Sequence, residues 1–215
     1  MNRAQIGIVT GLQAEARWLR KAGFMVKPGG GTPRGAKNAS EYLIQAGAQA
    51  LISFGLAGGL RPGVQPGAVL VPAVVISDTQ AYPCDSRLTT FLGGATSGMI
   101  LGGREIAASA QAKALLYQCN QPIAIDLESG ALAETAKRHD IPFAVLRGVA
   151  DPAERTLPPA ALVALKEDGS LDLVRLIHSI VKQPSQIPGL IAVGRDAKMA
   201  RRALLARLKT LPASA

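Results

Sequence analysis

Pro122-Ile-Ala-Ile-Asp126, Leu127-Glu-Ser-Gly-Ala-Leu-Ala-Glu-Thr-Ala-Lys-Arg138 and Phe143-Ala-Val-Leu-Arg-Gly-Val149 follow one another in the chain. The outer two are short, near-continuous apolar runs, the pattern of strands buried on both faces of a parallel sheet. The middle one is longer and amphipathic, and reads as a helix. The same alternation extends upstream. Ile6–Thr10 reads as a strand ending at Gly11, Gln13–Lys21 as a helix stopped near Gly23, and Phe24–Lys27 as a second strand. Helix Ala36–Ala46, strand Ala50–Phe54, a turn region at Pro62, Gly63, Pro66 and Gly67, and strand Ala68–Ile76 come next. Residues 78–97 carry little pattern and read as loop, Glu105–Tyr117 reads as a helix, and the chain from Pro158 onward as mostly helical. The predicted fold is α/β, a mostly parallel central mixed sheet flanked by helices. No repeat or low-complexity linker interrupts it. One domain over residues 1–215 is therefore expected, with a basic helical tail at about 184–209.

Composition narrows the function. Of 215 residues, 48% are hydrophobic and 18% charged, enough to bury a core and too apolar for disorder. The net charge is +9 and unevenly spread. Arg3, Arg17, Arg20, Lys21, Lys27, Arg34 and Lys37 face only Glu15 in the first 37 residues. Arg195, Lys198, Arg201, Arg202, Arg207 and Lys209 have only Asp196 among them. Such asymmetry points to an anionic partner. Cys84 and Cys119 are too few for a disulfide framework or a structural zinc site, and His139 and His178 fall on no motif, so no metal or cofactor is expected. The N-terminus lacks a signal-peptide pattern, and no stretch approaches the roughly 20 apolar residues of a membrane span. A cytoplasmic protein is expected. With 4% aromatics and no binding motif, specific nucleic-acid recognition is not.

In open α/β sheets ligands sit beyond strand ends. The segments there are Thr10-Gly-Leu-Gln-Ala-Glu15, Ser53-Phe-Gly-Leu-Ala-Gly-Gly-Leu60, Ile125-Asp-Leu-Glu-Ser129 and Leu146-Arg-Gly-Val-Ala-Asp151. If the strands are parallel, Glu15, Glu128 and Asp151 converge on one pocket as acid–base groups and hydroxyl acceptors. Each also has a structural reading. Glu15 and Glu128 suit the first turn of a helix, Asp151 suits a cap before Pro152, and Gly55–Gly59 suit a tight turn.

Gly55-Leu-Ala-Gly-Gly-Leu60 with its following Pro-Gly, Asp126-Leu-Glu-Ser-Gly-Ala-Leu-Ala133 and Ile141-Pro-Phe-Ala-Val-Leu-Arg-Gly-Val-Ala-Asp151 together resemble the nucleoside phosphorylase superfamily. The likeness runs from Ile6 to about Ala153 and is strongest to the methylthioadenosine/S-adenosylhomocysteine nucleosidase branch. The short loops and Arg-rich tail are most similar to the hopanoid-associated phosphorylase group, whose inferred role is removing adenine from adenosylhopane. The resemblance implies that Asp151 protonates purine N7, so that the base leaves readily. Glu128 would accept hydrogen bonds from the ribose hydroxyls and face the positive charge that develops on the sugar. Glu15 would activate water. Leu127 matches a sugar-facing position, with plain core packing as its other reading. Gly55, Leu56, Ala57 and Gly58 match the backbone that approaches ribose, and Ile106 with Ala107 the purine-packing segment. Ala150 stands where relatives commonly place a serine that orients the acid.

True phosphorylases of this superfamily offer arginine and serine to phosphate; here Ser53 and Leu56 occupy those positions. Hydrolysis is therefore favoured over phosphorolysis, with Gly29-Gly-Gly31 and Arg34 as the remaining phosphate candidates. Leu190, Val193, Ala197, Ala200, Leu204 and Leu208 form a helical stripe that leaves Arg195, Lys198, Arg201 and Arg202 largely to one side. That basic face is either solvated or set against an anionic membrane surface. A large 5′ group calls for an open, apolar 5′ side bordered by loops such as 78–97. The resemblance also implies a homodimer. The rival readings are a nucleosidase for methylthioadenosine or S-adenosylhomocysteine, and a non-catalytic adenosine-binding or membrane-associated regulator.

Overall fold

The computed structural model describes residues 2–163 and 173–214. Along the chain lie β1 (Ile6–Thr10), α1 (Gln13–Lys21), β2 (Met25–Pro28), α2 (Pro33–Gln45), β3 (Ala50–Gly59), β4 (Val69–Leu70), β5 (Pro72–Ser77) and β6 (Gln80–Pro83). They are followed by α3 (Ser86–Phe91), β7 (Ser97–Gly102), α4 (Ala110–Gln118), β8 (Ala124–Asp126), α5 (Ser129–Arg138) and β9 (Phe143–Asp151). Helices α6 (Pro159–Val163), α7 (Leu173–Lys182) and α8 (Ile187–Thr210) close the order.

The sheet runs β2-β1-β3-β8-β7-β5-β6, with β9 pairing with β3 and β4 pairing with β9. Contacts of β1 with β2 and β3, of β3 with β9, and of β7 with β5 and β8 are parallel. Those of β3 with β8, β4 with β9 and β5 with β6 are antiparallel. Successive strand side chains point to opposite faces, and both faces of the central strands are covered. Ile6, Ile8, Ile52 and Leu146 pack with Leu19, Leu88, Phe91, Leu204 and Leu208 on one side. Val9, Leu51 and Val145 pack with Ala36, Leu43, Leu132 and Ala136 on the other. This two-sided burial is why the strands read as continuous apolar runs.

The structure corrects several sequence expectations. Residues 78–97 are not loop: β6 pairs with β5, and Asp85 caps α3 by accepting from the Leu88 N–H at 2.9 Å. The helix expected from Glu105 starts at Ala110, where Ser109 accepts from the Ala112 N–H at 3.0 Å. The strand expected to end at Phe54 continues to Gly59, held by β9 and, at Gly58 and Gly59, by β8. The single strand expected over Ala68–Ile76 is two, interrupted at Val71. The tail forms α8. Its stripe packs on β9, with Ala200 and Leu204 fully buried. Gly148 lets that helix close in, since a Cβ there would stand 3.0 Å from the Ala200 carbonyl oxygen. Among the described residues no helix is long and apolar enough to cross a membrane.

Candidate active site

The ends of β1, β3, β8 and β9 surround a cavity of about 320 Å³, within the usual range for small-ligand sites. The expectation of parallel neighbours fails at one place, because β8 runs antiparallel to the end of β3. Glu128 nevertheless reaches the cavity. Glu15, Leu56, Ala57, Gly58, Ile106, Ala107, Leu127, Glu128 and Asp151 all line it. Gly55 does not; it lies behind the wall, where a Cβ would stand 2.6 Å from Arg147 Nη1. Its lack of a side chain makes room for the arginine rather than for a ligand. Gly31 contributes to the lining, but Arg34 does not. None of residues 78–97 borders the cavity, so the expected role of that segment around a 5′ group is not met. His139 pairs with Glu41 at the surface.

Arg147 organises the floor. It sits on β9, opposite Gly55 of β3, with its side chain only 1% exposed. A guanidinium buried this far requires compensating charge. It has two ion-pair partners, Asp126 through Nε at 3.0 Å and Glu128 through Nη2 at 2.9 Å. Nη2 also donates to Ser53 Oγ at 2.5 Å. Asp126 serves a second purpose, accepting from the backbone N–H groups of Glu128 and Ser129 at 2.8 and 2.7 Å. It thereby fixes the start of α5 and the placement of Glu128. Gly11 completes this corner, since a Cβ there would meet Glu128 Oε1 at 2.6 Å.

Glu15 is fully buried on α1. Its Oε2 accepts from the Leu12 N–H at 3.4 Å, while Oε1 has no hydrogen-bond partner. Burial pushes its pKa up from 4.5 to about 7, against the opposing pull of Arg147 and with a smaller push from Glu128. The Glu128 carboxyl is also raised, first by burial, while Arg147 opposes. A carboxylate poised near neutrality is suited to taking a proton from water.

Asp151 ends β9 beside Gly58. Its carboxylate pairs with Lys113 of α4. Burial raises its pKa, with Lys113 and Arg155 pulling down and Asp196 pushing up. Sequence reasoning missed three residues here: Arg147, Lys113 and Arg201. Arg201 was expected on a basic outer face of α8, but it lines the cavity, and its Nε is buried without a hydrogen-bond partner. The lining also includes apolar side chains, those of Leu12, Leu56, Ile106, Ile125, Leu127 and Leu157. Ile106, at 46%, and Glu105 are exposed members of that lining.

The family described as the phosphorylase superfamily matches residues 17–182. No curated protein matches in sequence. Among solved structures, an S-adenosylhomocysteine nucleosidase from Streptococcus pyogenes, bound to 5-methylthiotubericidin, superposes with a TM-score of 0.66 at 17% identity. The match covers 96% of this chain and 97% of that one. The Helicobacter pylori 5′-methylthioadenosine/S-adenosylhomocysteine nucleosidase gives 0.67 at 15% identity, covering 96% and 98%. The futalosine hydrolase of the same organism gives 0.67 at 14%, covering 96% and 97%. At these identities the likeness is one of fold.

Proposed function

Because the chain belongs to the phosphorylase superfamily, we propose that its cavity binds a 5′-substituted adenosine and breaks the C1′–N9 bond, releasing adenine. The observation that carries this reading is that Glu15, Glu128 and Asp151, from three separate segments, line one cavity together with apolar side chains such as Leu56, Ile106 and Leu127. In the proposed reaction Asp151 gives its proton to N7 while the electron pair of the breaking bond moves onto the purine. Glu128 accepts from the ribose hydroxyls, and its charge faces the cationic sugar. Leu56 and Leu127 pack on the sugar, and Ile106 and Ala107 on the base. Ala57 and Gly58 offer backbone at close range.

Water is the favoured nucleophile, with Glu15 taking its proton. Arg147 is engaged by Asp126, Glu128 and Ser53, so it has little to offer a phosphate dianion. One observation favours phosphate as a second reading: Arg201 brings a guanidinium into the cavity whose Nε lacks a partner.

The 5′ group is proposed to be the hopane of adenosylhopane, placing the enzyme in hopanoid biosynthesis. The exposed side chain of Ile106, which lines the cavity of about 320 Å³, suits a hydrocarbon that extends beyond it. Arg195, Lys198 and Arg202, exposed on α8, suit an anionic membrane surface for a cytoplasmic, peripheral homodimer. The fold likeness to the methylthioadenosine/S-adenosylhomocysteine nucleosidases favours their substrates as the alternative.

The test is a panel of methylthioadenosine, S-adenosylhomocysteine and an adenosine carrying a long 5′ alkyl arm in detergent, each with and without phosphate. Adenine with a free sugar supports hydrolysis, and a sugar 1-phosphate supports the Arg201 reading. No adenine from any member, with binding retained, would point to the non-catalytic regulator.

A further inference from the structure

Lys113 lies in the first turn of α4, and its side chain is 1% exposed. Lysine is almost never buried so far without a partner. An ammonium group has three protons to donate, and here each has an acceptor. One goes to Asp151 Oδ2. The others go to the carbonyl oxygens of Pro152 and Arg155, both at 3.0 Å. The two carbonyls hold the ammonium through backbone just after β9, independently of the carboxylate. Oδ1 of Asp151 is left without that partner. Both carboxylate oxygens lie beside Gly58, Oδ1 at 3.3 Å and Oδ2 at 3.5 Å from where a Cβ of Gly58 would be, and Gly58 borders the cavity. The preceding residue, Ala150, has no hydroxyl with which to steer Asp151.

We propose that Lys113 is the positioning residue of Asp151, anchoring Oδ2 so that Oδ1 faces the purine and neutralising the carboxylate that remains when the proton leaves. This rests on the role of Asp151 given above. The step balances simply: the proton passes from Oδ1 to N7, the C1′–N9 electron pair passes to the ring, and Lys113 stays an ammonium throughout. Because the counter-charge is already in place, no group reorganises as the carboxylate forms. Lys113 thus works against burial, which disfavours the charged acid. The other charges facing Asp151 are Arg155, following β9, and Asp196 of α8; they pair with each other. Neither replaces an ammonium in direct contact with Oδ2.

The experiment follows the Asp151 carboxyl directly, by ¹³C NMR of protein labelled at aspartate Cγ. Its signal is assigned by its absence in Asp151→Asn. In Lys113→Met the titration should move up by about one pH unit or more, through loss of the opposite charge. Lys113→Arg, which keeps the charge, should restore most of that shift. The alkaline limb of kcat against pH should move with it, while KM changes little. Lys113→Gln serves as the neutral variant should the methionine protein not fold. A folded neutral variant with an unmoved titration, or with a moved titration but an unmoved alkaline limb of kcat, would overturn the proposal, since a lysine that only supports the fold would leave the kcat profile where it is. If instead Asp151→Asn releases adenine normally, the acid role fails, and the titration still reports separately on Lys113.

Discussion

Replacing Glu15 by Gln should make the protein more stable at high pH and leave it unchanged at low pH. Glu15 is fully buried, and burial lifts its pKa from 4.5 to about 7. In the unfolded chain it ionises near 4.5, so between these values the folded state holds a proton that the unfolded state has lost. Stability therefore falls as pH rises through this window. The gap of about 2.5 pH units corresponds to roughly 3 kcal/mol, at 1.36 kcal/mol per unit. Glutamine keeps the shape and never ionises, so Glu15→Gln should gain about 3 kcal/mol over wild type at pH 8–9 and close to nothing at pH 4. For a chain of this size that is about 6–12 °C in melting temperature. Thermal melts of both proteins across pH are the assay. A difference that does not grow with pH, or a variant less stable at pH 9, would refute burial as the dominant influence on this carboxyl. The same variant should lose about 10²–10⁴-fold in kcat if Glu15 is the base.

Arg147→Met should destabilise by about 3–5 kcal/mol, because Asp126 and Glu128 would be left buried without their counter-charge; urea unfolding measures it. Wild-type kcat should rise with pH through about 7 as Glu15 ionises, then fall where Asp151 loses its proton; an acid limb well below pH 6 would remove Glu15 from the base role. Leu204→Ala should destabilise by about 2–5 kcal/mol, as a fully buried side chain joining α8 to the sheet, with the site's chemistry retained. Equal melts for that variant and wild type would show that α8 is not seated as described.

The sheet was legible because its strands are buried on both faces, and apolar runs such as Phe143–Val149 record that directly. What was not legible has physical reasons. Capping decides α3 and α4, and one side-chain oxygen on Asp85 or Ser109 outweighs the surrounding weak periodicity. Arg147 carried a readable signal: a lone arginine inside a buried apolar run must be paired, and Asp126 and Glu128 were the nearby acids. Lys113 carried none, since one lysine on a weakly patterned helix looks like any solvated residue until α4 is docked. Arg201 sits in a basic stretch, where helical phase alone separates a cavity residue from a surface one. The acids Glu15, Glu128 and Asp151 stood out because chemistry-bearing side chains beyond strand ends are few.

Adenine release from 5′-methylthioadenosine and from a long-armed 5′-alkyl adenosine, compared between wild type and Asp151→Asn, shows whether this cavity cleaves the glycosidic bond with Asp151 as its acid. The site as described predicts adenine from wild type with at least one of the two, and a loss of about 10²-fold or more in the variant, the usual contribution of a positioned general acid. Equal release by both proteins, or none from wild type with either nucleoside demonstrably bound, would contradict it.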